Sequence, residues 1–307
     1  MLTSWDDRAV AERTLAVDAL SRRVFTQLAA RGCDAVMLKG RSTAAALYGP
    51  GESRGISVDV DVLAAPSAGE SVAEVLTELG YAPRPYRAPG EHATTWMRAG
   101  LPDVDVHETL AGLLAHPEEV WAALNGHRSE LSVAGVMLPV LDRAGVALHV
   151  TLHAAQHGRH GGRPIRDLER AIARIGDSDW EDAARLARRL DGTAAFGAGL
   201  RLVANGRELA ERLEIPKTQS VLVAVRADSL PPGTRYLAQA IEQRGILARA
   251  RAALWAVVPP PAVMRSWYPD SSLPAAYLRR PVRVLRRAPA VFRELRRARR
   301  RSQADCD

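Results

Sequence analysis

Residues 57–64 read SVDVDVLA, with Asp59 and Asp61 separated by a single valine. A strand sends alternate side chains to opposite faces, so both carboxylates share one face about 7 Å apart. Like charges at that spacing repel unless a cation lies between them or water screens them. A divalent ion answers the first need: Mg²⁺ takes one or two carboxylates and fills its shell with phosphate oxygens and water. A solvent-facing strand face, with Val58, Val60 and Val62 turned to the core, answers the second. A third acid, Asp105 in VDVHE, would join the pair if its strand lay beside theirs. His107 follows two residues later, so it shares the Asp105 face and is either a substrate contact or a structural histidine.

Two further groups could do chemistry. MLKGRST, residues 37–43, reads as a strand, a glycine and a helix start with Ser42 or Thr43 near the cap. The unpaired N–H groups and the dipole of such a start favour a phosphate. His149, His153 and His157 stand four residues apart, so they share one face of a helix. Paired histidines at that spacing can ligate zinc, but no H-E-x-x-H is present and no cysteine lies nearby. The alternatives are that they line an interdomain cleft or are held by carboxylates such as Asp167.

The elements that must position these groups follow from periodicity. Residues 6–31 form an amphipathic helix with Val10, Leu15, Val17, Leu20, Val24 and Leu28 on its apolar side, stopped by Gly32. The pattern then predicts a strand over 34–40, a helix over 41–49, a loop over 50–56, a strand over 57–64 and a helix over 67–80. Residues 93–99 and 104–110 read as a hairpin, and 133–142 as a further short β element. That makes four or five strands. From residue 143 the pattern becomes helical, over 143–160, 165–176, 179–206 and 233–258. Residues 259–272 are irregular and Pro-rich. The expected organisation is α+β: a mixed sheet flanked by helices over 1–142, a mostly helical domain over 143–258, and a Pro/Arg-rich, partly disordered segment over 259–307.

This order of pieces resembles the DNA polymerase beta-like nucleotidyltransferase superfamily, and more narrowly a bacterial nucleotidyltransferase-like family. The residues that carry the resemblance are Leu38-Lys39-Gly40, Tyr48, Arg54, the strand Asp59-Val60-Asp61-Val62-Leu63, Asp105-Val106-His107, and the later His153, His157, Arg166 and Asp167. It covers residues 34–170. The sequence departs from the pattern where Arg41 separates Gly40 from Ser42, where Val58 precedes the first aspartate, and in an Arg54–Asp59 interval one residue longer. The resemblance implies Mg²⁺-dependent transfer of a nucleoside monophosphate from an NTP to an acceptor, a small molecule or a protein side chain, with release of pyrophosphate. Asp59, Asp61 and Asp105 would be catalytic and would hold two Mg²⁺ ions. Gly40 and Ser42 would hold the β- and γ-phosphates, and Lys39 or Arg54 would neutralise developing charge. His107, His153 and His157 are the candidate substrate contacts.

Composition narrows the remaining classes. No apolar run reaches the ~18 residues of a membrane span. The N-terminus carries acids where a leader needs bases, which predicts a cytoplasmic protein. Two cysteines, Cys33 and Cys306, build no disulfide framework. The net charge is +7, but residues 277–303 alone hold eleven arginines against Glu294. That tail is either solvated or a patch for nucleic acid, an anionic membrane surface or an acidic partner. Two other functions are therefore compatible with the sequence: a non-catalytic binding or assembly module on this fold, and a nucleic-acid-directed transferase recruited by its tail.

Overall fold

The computed structural model describes residues 4–86, 91–217, 223 and 246–304. Its centre is a mixed sheet of seven strands among the described residues: β1 (Ala35–Met37), β2 (Asp59–Ala64), β3 (Ala82–Pro83), β4 (Ala93–Met97), β5 (Asp103–His107), β6 (Arg128–Val133) and β7 (Val136–Leu141). The spatial order is β3-β4-β5-β2-β1-β7-β6. β2 runs parallel to β5 and β1 parallel to β7, while the other neighbours are antiparallel.

One face of the sheet is covered by α1 (Ser4–Ala30) and α3 (Gly69–Glu78). The even-numbered valines of β2, Val60 and Val62, are buried there with Val24, Leu28, Val75 and Leu76. Leu15, counted on the apolar side of α1, is instead exposed. The opposite face meets α2 (Arg41–Leu47) and then α5 (Arg143–His157), α6 (Arg163–Arg174), α7 (Asp177–Arg189), α8 (Thr193–Leu200) and α9 (Ala204–Arg212). One apolar cluster joins Leu38, Leu47 and Leu63 of the first half to Leu148, Leu168, Trp180 and Phe196 of the second. The core therefore continues across residue 143. A short helix, α4 (Pro117–Asn125), precedes the β6–β7 hairpin.

Several elements differ from the periodicity reading, each for a local reason. The single β element expected at 133–142 is the end of β6 plus β7, joined by a turn with positive φ at Ala134 (48°) and Gly135 (79°). β6 is a mostly exposed edge strand, RSELSV, whose inward residues Leu131 and Val133 come only at its end, so the alternation is too short to read. The long helical run 179–206 is three helices, broken at Asp191 (φ 51°) and by extended Val203. Residues 233–245 of the last expected helix lie outside the described residues. Beyond them come α10 (Ile246–Val257), α11 (Pro261–Trp267) and α12 (Leu273–Ala304). Helix α11 forms within the run 259–272 expected to be irregular, which stays so on both sides of it; Pro261 sits in its first turn, where no N–H is required.

Candidate active site

The acidic cluster follows from strand register. The parallel pairing of β2 and β5 sets Asp59 opposite Asp103, Asp61 opposite Asp105, and Leu63 opposite His107. Paired residues point the same way, so Asp61, Asp105 and His107 converge on the sheet face turned toward α5. Each offers one ligand atom, and these atoms lie within 4.8 Å of one another. Val58, expected in the core, lies just before β2 and is 51% exposed.

Asp61 is the centre of this cluster. Its Oδ1 accepts from Lys39 Nζ at 2.5 Å and from His107 Nε2 at 2.9 Å. Its Oδ2 is buried and has no hydrogen-bond partner. Burial by itself would raise its pKa, but Lys39 and His107 outweigh that and hold the carboxyl well below the usual carboxylate range. Asp59 stands differently. Burial, then the neighbouring Asp61 charge, pushes its carboxyl up to about 6. Thr95 on β4 stands opposite Asp105 and donates to its Oδ1 at 2.6 Å. Thr95 was legible in the hairpin register and was missed.

Lys39 reaches Asp61 because β1 ends there: Leu38 donates its N–H to the Asp61 carbonyl at 3.1 Å. Gly40 then turns the chain into α2 with φ 63°, and an added Cβ would meet Ser57 Oγ at 3.2 Å. A cleft opens beside this turn, lined by Lys39, Gly40, Arg41, Ser57, Asp59 and Asp61. Ser42 is not among its lining residues. It is buried, with no partner for its hydroxyl. Arg41 instead forks onto Asp18 of α1, at 2.8 and 2.6 Å to Oδ2.

Arg54 also lines this cleft, but its guanidinium is engaged from the other side. It is buried and bonds Asp167 on α6, at 3.0 Å from Nε and 2.7 Å from Nη2 to Oδ2. Tyr48 donates its hydroxyl to Asp167 Oδ1 at 2.8 Å. Tyr48, Arg54 and Asp167, scattered in sequence, thus form one buried knot that clamps the loop before β2 to α6. Asp167 is consumed there and is no partner for the histidines. Glu52, two residues before Arg54, pairs instead with Arg170 and Arg174, each at 2.8 Å.

α5 carries the histidines over the cluster. Its start is fixed by Asp142, whose Oδ1 accepts from the Gly145 N–H at 2.8 Å. His149 is buried, and His149 and His153 line a small hollow with Lys39, His107 and His92. Burial, with the Lys39 charge second, lowers the His149 pKa to about 3; burial likewise holds His153 well below its ordinary value. The ring of His153 stacks on His149 at 6.0 Å and meets His157 edge-on at 4.6 Å. His157 is at the exposed end of this row.

The family model described as "Uncharacterised nucleotidyltransferase" matches residues 6–205. The chain belongs to this nucleotidyltransferase family. Among solved structures, the nucleotidyltransferase is similar to the antibiotic-resistance factor ANT(2'')-Ia at 14% identity and a TM-score of 0.42, covering 56% of this chain and 91% of that one. It is also similar to an antigenic nucleotidyltransferase-like protein from Paracoccidioides brasiliensis at 16% identity and a TM-score of 0.39, covering 68% of this chain and 95% of that one. No curated protein matches. In this nucleotidyltransferase the donor set near Asp61 suits a cation: two carboxylates, one of them with a buried oxygen that has no partner, and one imidazole. No helix among the described residues is long and apolar enough to cross a membrane.

Proposed function

We propose that the chain moves a nucleoside monophosphate from an NTP to the hydroxyl of a small molecule or a protein side chain, in the cytoplasm, with Mg²⁺ held by Asp59, Asp61 and Asp105. The observation that carries this reading is the side-by-side register of Asp61 and Asp105 on parallel strands, with Asp61 Oδ2 left unpartnered. Bound ions, two in the full site, would supply positive charge to the triphosphate and to the attacking oxygen. The chain's own residues do the rest. Lys39 and His107 keep Asp61 ionised at neutral pH, so its ligand oxygen is charged before any ion arrives. Thr95 fixes the rotation of Asp105. Asp105 takes the acceptor proton as the acceptor oxygen bonds to the α-phosphorus and the bond to pyrophosphate breaks. Lys39 and the Gly40 turn, both lining the cleft, receive the outer phosphates. The roles of Ser42 and Arg54 are then to seat α2 and to lock the loop before β2.

A second reading, a non-catalytic nucleotide-binding module, is favoured by one observation: the Lys39 ammonium already neutralises Asp61. One experiment separates the two. The full chain is heated with each of the four NTPs and Mg²⁺ or Mn²⁺, and product is sought with α-labelled NTP. The enzyme reading expects one NTP to raise the melting temperature only with the ion present, and Asp61→Asn and Asp105→Asn to abolish the effect. Stabilisation that needs no ion and survives both substitutions supports the module. No response to any NTP sinks both.

A further inference from the structure

The far end of the chain presents a surface that the carboxylate site does not use. Helix α12 packs on α10 and α11 near its start, where Ala276 is 1% exposed, Tyr277 donates its hydroxyl to the Pro259 carbonyl at 2.7 Å and Arg280 lies over the Trp267 ring at 4.6 Å; farther along, Val284, Ala288 and Val291 are half-buried. Another stripe faces outward. Leu278 (76% exposed), Val282 (49%), Leu285 (71%) and Phe292 (55%) recur with Pro289 at alternating steps of four and three. At about 100° per residue, that spacing lines them along one side of the helix. Exposed Arg279, Arg283, Arg286 and Arg293 border the stripe on one flank. The helix is therefore apolar on one arc and cationic on the next. Neighbouring α10 adds exposed Ile246, Leu247 and Leu254.

We propose that α12 docks on the surface of an anionic phospholipid bilayer. Both faces of the helix are then used: the leucines and Phe292 enter the acyl boundary, and the arginines meet lipid phosphates. A nucleic acid would take the arginines and leave four large apolar side chains in water, with few aromatics to stack on bases. A second copy of the helix would bring two arginine borders together, with Pro289 in the seam.

The test is sedimentation of the full chain with vesicles of phosphatidylcholine alone, or of phosphatidylcholine containing about a third phosphatidylserine, in about 0.15 M NaCl. Binding is expected only to the serine lipid. It should weaken at least about tenfold in Leu278→Glu/Leu285→Glu and in Arg283→Glu/Arg286→Glu, and persist in Leu285→Phe. All the altered positions are exposed, so an unchanged melting temperature checks folding. Equal binding to both vesicles, or full binding by the double-leucine variant, overturns the proposal. So does an oligonucleotide that binds the double-leucine variant as well as the parent when vesicles do not bind, or a concentration-dependent dimer abolished by the leucine substitutions without vesicle binding.

Discussion

Asp61 has two unlike oxygens: one takes a lysine and a histidine, the other takes nothing. Strand alternation made that residue, Asp59, Asp105 and His107 legible, because a period of two fixes a face without knowledge of the fold. The surroundings of Arg54 and Ser42 were not legible, since Arg54 meets Asp167 far away in sequence and Ser42 is buried with α2 in the packed molecule. His149 carries a prediction about pH. Its folded pKa, about 3, lies below the ordinary 6.5, so the unfolded chain takes up a proton first on acidification. The associated stability is fully present above about 6.5 and drains away as pH falls. Asp59 acts in the opposite sense. With a folded pKa of about 6 against 3.8, it is protonated first in the folded state and favours folding as pH drops through 6. His149→Leu removes only the first contribution. Between pH 7 and pH 4.5 the variant should lose about 2 kcal/mol less stability than the parent, read from urea midpoints. Parallel curves for the two proteins would refute this.

At the scale of elements, the strands with alternating or β-branched sequence were found, and edge strand β6 was not. The three helices α7 to α9 read as one although Asp191-Gly192 marks the first break with a turn pair; the second, at extended Val203, involves no breaker residue. Helix α8 shows what periodicity cannot see. A Cβ on Gly199 would lie 2.2 Å from the Thr151 carbonyl oxygen of α5. The two backbones approach so closely that only hydrogen fits. Gly199→Ala should therefore destabilise by about 1–3 kcal/mol, although alanine is the better helix former by about 1 kcal/mol. A midpoint of thermal unfolding at or above the parent's would show that α5 and α8 can separate without cost.

For the whole molecule, the change from mixed to helical pattern near residue 143 was legible, but the shared core was not. Leu38, Leu47 and Leu63 are covered by side chains from beyond that point. A chain ended after residue 142 should bind an apolar dye and melt without a cooperative transition. A sharp transition at the full chain's temperature would refute this.

The Arg54–Asp167 pair adds a matter of timing. Its partners stand 113 residues apart. During synthesis at roughly 5–20 residues per second, the arginine leaves the ribosome several seconds before its counter-ion. Until then, closing the loop in front of β2 would strand a cation in the interior. The carboxylate cluster should thus be held open in the nascent chain and set only when α6 arrives, so that translation itself dictates when the site becomes competent.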